Sequence, residues 1–119
     1  MATRVTTPVV AVAFSGGRDS TALLHAVWRQ SAGTDLRVVA LHVHHGLMPE
    51  ADAWWLHCQQ QVGRWARRDA RLSFIGRRLT QRPAAGQSIE AWARLARYQA
   101  LARMAAEVGA ETVLLAHHQ

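Results

Sequence analysis

A chain of 119 residues, half of them hydrophobic and with a net charge of +6, has the size of one small domain and not of two. Its apolar runs alternate with turns, which argues against disorder, and none approaches the ~20 residues of a membrane span. All fourteen basic residues are arginine, which excludes a lysine-dependent Walker A loop or a lysine Schiff base within the chain, and the single Cys58 excludes an internal disulfide.

Val9 to Phe14 reads as a buried strand, β-branched and too short for a helix. It starts too soon and lacks the cleavage site a signal peptide needs. The turn Ser15-Gly16-Gly17-Arg18-Asp19-Ser20 follows, with Asp19 or Ser20 as candidate cap of a helix through Gln30, stopped by Gly33. Leu36 to Val43 is a second buried strand, leading into His44-His45-Gly46. A helix opens at Pro49-Glu50 and runs to about Arg68, with Arg67 and Arg68 complementing its C-terminal dipole. Leu72 to Leu79 is a third strand. Ser88 caps a long helix that Gly109 ends, and Thr112 to Ala116 is the fourth strand.

This strict alternation predicts an α/β fold, a parallel sheet of about four strands with helices on both faces and right-handed crossovers. Ligands of such sheets bind outside the carboxyl ends of the strands. Each unusual cluster falls at such an end: SGGRDS after the first strand, HVHHG after the second and HHQ after the fourth.

In SGGRDS, adjacent glycines permit a nest of backbone N–H groups for an anion, a helix N-terminus adds donors, and Ser15 and Ser20 supply hydroxyls. Asp19 would repel a bare phosphate, so its presence predicts Mg²⁺ bound together with the phosphates. His42, His44 and His45 have the chemistry to donate to phosphate or to hold a metal. Alternation along a strand puts His45 on the side opposite His42 and His44, which argues against a three-histidine zinc site. On a helix, Glu90, Arg94 and Arg97 fall within about 60° of one another. The opposing stripe of Ile89, Ala93, Ala96, Ala100 and Met104 is the expected buried one. Seven arginines between Arg64 and Arg82 read equally as a solvated helix end or as an RNA-facing patch. Trp28, Trp55 and Trp65 are expected to pack, and Cys58 to be an unreactive helix thiol in a reducing, cytoplasmic setting.

The turn resembles the SGGxDS pyrophosphate loop of the PP-loop ATPases, enzymes that cleave ATP between the α and β phosphates. Arg18 stands at the variable position and is grouped with the loop by place alone. Two further segments narrow the resemblance. LHVHHGLMPEADAW (41–54) is similar to the HVHHGL-x-x-x-AD segment of the tRNA(Ile)-lysidine synthase family, and GQSIEAWARLARYQAL (86–101) to that family's G-x-x-x-E-x-x-A-R-x-x-R-Y pattern.

What the resemblance implies is a ligase that uses ATP and Mg²⁺. In that family ATP adenylates the C2 oxygen of the wobble cytidine in tRNA(Ile) with a CAU anticodon, and the amine of free L-lysine then attacks C2 and expels AMP. It implies that Ser15, Gly16, Gly17, Arg18, Asp19 and Ser20, together with His45 and Arg94, bind ATP. Asp19 would be the catalytic and Mg²⁺-binding residue, and Arg97 a tRNA contact. The family pattern continues beyond the fourth strand as A-H-H-x-D-D-Q, whereas this sequence reaches Gln119. The expectation is one incomplete PP-loop domain over 1–119, inactive alone and with an apolar TVLLA edge prone to aggregation. Another PP-loop enzyme, such as a tRNA 2-thiolation enzyme, and a non-catalytic nucleotide-binding module stay open as readings.

Overall fold

The β-branched runs form the centre of a four-stranded parallel sheet, seen in a computed structural model that describes residues 7–46, 48–80, 82–86 and 88–116. In chain order the elements are β1 (Val9–Ala13), α1 (Arg18–Gln30), β2 (Arg37–His44), α2 (Ala51–Ala66), β3 (Leu72–Arg78), α3 (Ile89–Val108) and β4 (Val113–Leu114). The strand order is β3-β2-β1-β4.

Alternation along each strand sends side chains to two cores. Ala11, Ala13, Val39 and Leu41 pack on Leu101, Met104 and the alanines of α3. Val12, Phe14, Val38, Ala40 and Leu72 pack on Leu24 of α1 and on Cys58 and Val62 of α2. The helices therefore cover both faces, as the alternating pattern requires. Leu24, Val62 and Met104 each anchor one helix and are buried to 1% exposure or less. Each such side chain contributes about 1.5–3 kcal/mol. The expected stripe of α3 is met from Ala96 through Ala100 to Met104, all buried. At the start of the helix Trp92 is buried instead, Ala93 is half-buried and Ile89 is 56% exposed. Ser88 caps it by accepting from Ala91 N–H, and Gly109 ends it in the left-handed conformation.

This topology positions the site. The chain steps from β1 to β2 to β3 with α1 and α2 on one face, then returns across the other face through α3 to β4. The winding reverses between β1 and β4, the place where open α/β sheets bind ligands. β2 pairs with β3 as far as His44 and Arg78, while β1 pairs with β2 only as far as Ala13 and Leu41. The end of β2 thus projects past β1, and the turn after β1 sits in the recess.

A strut at the opposite end fixes the three elements α1, β2 and β3 together. The Arg71 guanidinium donates to the carbonyls of Ser31 (2.6 Å) and Leu36 (3.1 Å) and to Asp69, which also accepts from Trp28 Nε1 at 2.8 Å. The Arg71 hydrogen bond, followed by that of Trp28, holds the Asp69 carboxyl down to about 2. Its folded-state pKa lies below the unfolded value, so its contribution is complete above about pH 4. It is lost as pH falls toward 2. Acid unfolding followed by tryptophan fluorescence is expected to show this loss of stability between pH 4 and 2, and Asp69→Asn to flatten it.

Candidate functional site

The turn after β1 is organised by one hydroxyl. Ser20 Oγ accepts from the backbone N–H groups of Ser15 and Gly16, each at 3.2 Å, and lies 2.9 Å from Ser15 Oγ. The expectation that Asp19 or Ser20 caps α1 is not met. The cap position is Gly17, which has no side chain to cap with, and Ser20 has turned back to hold the loop instead. Nor do both glycines adopt positive φ. Gly16 does, at +85°, whereas Gly17 is extended at −72° and 171°. A Cβ on Gly16 would meet Cys58 Sγ at 2.5 Å, so α2 closes the back of the turn. The first-turn amides of α1 have no intrahelical acceptors and no side-chain cap, which leaves the helix's partial positive charge facing the recess. Ser15, Arg18 and Asp19 are exposed there, while Ser20 is buried.

The three histidines divide as alternation predicts, but two are structural. His42 donates from Nδ1 to the Phe14 carbonyl at 2.9 Å, and burial holds its pKa below the usual value, partly opposed by that bond. His44 donates from Nε2 to Asp52 at 2.7 Å, and Asp52 also accepts from Arg78 at 3.0 Å. His44 first and Arg78 second keep the Asp52 carboxyl below its ordinary range. Trp55 packs on both imidazoles, with ring centroids 5.8 and 5.9 Å away. Only His45 turns to the α3 face. Burial first, and then the neighbouring His44 and Arg97, lower its pKa from the ordinary value.

His45 lines a cleft of about 620 Å³ with Val43, Glu90, Arg94, Arg97 and Leu115, within the range of roughly 300–1,000 Å³ common for ligand pockets. The cleft lies between α3 and the carboxyl ends of β2 and β4. The predicted co-location of Glu90, Arg94 and Arg97 is therefore met, with His45 opposite them. Among the described residues neither Arg94 nor Arg97 makes a hydrogen bond or ion pair, which suits them to an anionic ligand. The turn residues 15–20 are not in the lining of this cleft; the turn follows the carboxyl end of β1, and the cleft lies at those of β2 and β4.

Four of the seven arginines between Arg64 and Arg82 have side-chain partners: Arg71 belongs to the strut, Arg77 pairs with Glu107, Arg78 pairs with Asp52, and Arg64 bonds Gln61. Arg67, Arg68 and Arg82 are exposed. Among the described residues no group of three or more His, Cys, Asp or Glu side chains could hold a metal. Asp19, an exposed carboxylate in the turn, would suit Mg²⁺ carried together with phosphate oxygens, which is the usual way Mg²⁺ binds nucleotides. His117, His118 and Gln119, the cluster expected after β4, lie outside the described residues. Two contributors were not foreseen, Asp52 and Trp54. Asp52 stands in the AD pair of the 41–54 motif. Trp54 donates its indole N–H to the Ser15 carbonyl.

Comparison with known proteins is consistent with this geometry. The chain is 50% identical over 113 residues to the tRNA(Ile)-lysidine synthase of Ralstonia nicotianae, covering 93% of this chain and 23% of that protein. It is likewise 50% identical over 109 residues to the tRNA(Ile)-lysidine synthase of Burkholderia mallei, covering 92% and 21%. The chain thus spans less than a quarter of the length of these relatives. Among solved structures it resembles a U34-tRNA thiolase, NcsA from Methanococcus maripaludis, with a TM-score of 0.72, 12% identity and coverage of 96% of this chain and 40% of that one. A universal stress family protein from Burkholderia pseudomallei gives a TM-score of 0.60 at 20% identity, covering 94% and 83%. At such identities these two likenesses speak for the fold alone. The PP-loop domain family matches residues 1–119 from end to end, and with the SGGRDS turn at the winding reversal of a parallel sheet, the chain belongs to that family.

Proposed function

We propose that this domain binds and activates ATP for a tRNA(Ile)-lysidine synthase reaction, in which the wobble cytidine of a CAU-anticodon tRNA(Ile) is adenylated and lysine displaces AMP. The observation that carries the reading is the shared carboxyl edge: a glycine turn after β1, His45 after β2, and two arginines without carboxylate partners on α3. The identity to two lysidine synthases supports this reading over other PP-loop chemistries.

Transfer of an adenylyl group requires the departing pyrophosphate to be held and its charge offset as it develops. Gly16, Gly17, Arg18 and the first-turn amides of α1 form the cradle, with Ser15 and Ser20 fixing its shape. His45 and Arg94 approach the phosphates from the α3 side, and Arg97 reaches toward the tRNA. Asp19 holds Mg²⁺, which when bound offsets phosphate charge. The setting is cytoplasmic, where tRNA, ATP and lysine meet. No helix among the described residues is long and apolar enough to cross a membrane.

ATP labelled at the α-phosphate tests the reading, with the domain in its native polypeptide. Labelled AMP is expected only when both tRNA(Ile) and lysine are added, and Asp19→Ala is expected to reduce its release at least a hundredfold, within the range of lost electrostatic stabilisation. Release that needs a sulfur donor instead of lysine would assign the domain to thiolation, and Asp19→Ala at full rate would remove the metal role.

A further inference from the structure

The phosphate turn is gripped from behind by a helix to which the PP-loop resemblance assigns nothing. The Ser15 carbonyl accepts from Trp54 Nε1–H and lies 3.5 Å from Cys58 Sγ. The same two side chains fill the space beside Gly16, where an added Cβ would lie 2.5 Å from Cys58 Sγ and 3.1 Å from Trp54 Cζ2. A trans peptide is planar, with its C=O and N–H on opposite sides. Fixing the Ser15 carbonyl toward α2 therefore aims the Gly16 N–H away from it, toward Ser20 Oγ at 3.2 Å. One indole N–H thus sets the plane of the peptide that leads into Gly16.

Trp54 is not a core tryptophan. It is 44% exposed and stacked on His57, with ring centroids 4.9 Å apart, while its neighbour Trp55 faces the sheet. Its polar end is what meets the turn. Cys58, by contrast, is fully buried, and burial lifts its thiol to about 11, so it acts as a filler and weak donor, not as a nucleophile.

We propose that Trp54 is a positioning residue for the phosphate turn: its indole N–H holds the Ser15–Gly16 peptide with its own N–H on Ser20 Oγ, the arrangement that shapes the turn to receive pyrophosphate. The proposal rests on the nucleotide reading above. Trp54→Phe keeps an aromatic ring against Gly16 and removes only the N–H. Trp28→Phe is the matched control, because Trp28 also spends its N–H on one acceptor, Asp69, at the other end of the sheet.

Inorganic pyrophosphate and ATP, each titrated calorimetrically with Mg²⁺, are expected to bind Trp54→Phe about five- to tenfold more weakly than wild type, the scale of one neutral hydrogen bond. Trp28→Phe is expected to lose thermal stability and keep wild-type affinity. In the wild-type protein the Trp54 indole N–H resonance is expected to shift on pyrophosphate addition and that of Trp28 to stay. A folded Trp54→Phe with wild-type affinity, or a Trp54 resonance indifferent to pyrophosphate, overturns the proposal and leaves the nucleotide reading intact. A wild-type protein that binds neither ligand overturns both.

Discussion

Gly16→Ala is expected to lose ATP binding and to unfold well below the wild-type temperature. Two costs coincide at this position. Its φ of +85° forces any other residue into left-handed backbone, which costs roughly 1–3 kcal/mol. The new methyl would also sit 2.5 Å from Cys58 Sγ and 3.1 Å from the Trp54 ring, an overpacking term of typically ~1–3 kcal/mol. Together they amount to about 2–6 kcal/mol, a large fraction of the roughly 5–15 kcal/mol that holds a domain folded. Thermal denaturation checks the loss of stability, and ATP titration of whatever folds checks the loss of binding. Cys58→Ala in the Gly16→Ala background should recover the packing share and leave the backbone share, because it clears the thiol without changing φ.

The second large effect is expected at Gly76→Ala, far from any turn. Gly76 pairs with His42 in the sheet, and the Trp55 indole lies directly over it. A Cβ there would stand 2.5 Å from Trp55 Cη2 and 2.8 Å from Cε2, and closer still to Cζ2. The indole has nowhere to go, since it is held between His42, His44 and Phe74. Displacing it also disturbs the end of β2, from which His45 reaches the cleft. A loss of about 2–4 kcal/mol is expected, at or above the usual range for overpacking. A double-mutant cycle with Trp55→Leu, read by chemical denaturation, should show strong coupling: Gly76→Ala should cost little once the indole is gone. Equal cost in both backgrounds would place the strain elsewhere.

The sheet and its helices were legible because the signals are local. β-branched runs of the right length, Ser88 at a helix start and Gly109 at a helix end each carry their own cause. The division of His45 from His42 and His44 was legible too, since strand alternation alone produces it. What the sequence does not display is the part of the site made by distant residues. Trp54 and Cys58 meet Ser15 across 39 and 43 residues, and Asp52 receives Arg78 across 26, so no window of sequence contains either contact. A faint signal exists for Trp54. Adjacent tryptophans on a helix point about 100° apart, so when Trp55 faces the sheet Trp54 must do something else. The misplaced cap has a similar origin. Ser20 has the right chemistry to cap α1, but its hydroxyl gains two backbone donors by turning into the loop.

Gly17 separates what the fold needs from what the ligand needs. Its φ of −72° is open to any residue, and a Cβ would rest 3.4 Å from Ser15 Oγ in ordinary contact. The fold therefore does not require glycine there, whereas a phosphate lying close against the backbone does. The direct measurement is ATP affinity of Gly17→Ala alongside its thermal midpoint. If the turn holds the pyrophosphate of ATP, the variant keeps its stability to within about 1 kcal/mol, the scale of a cap substitution, and binds ATP at least tenfold more weakly. A Gly17→Ala protein that folds like wild type and binds ATP equally well would contradict the assignment of this turn as the phosphate site.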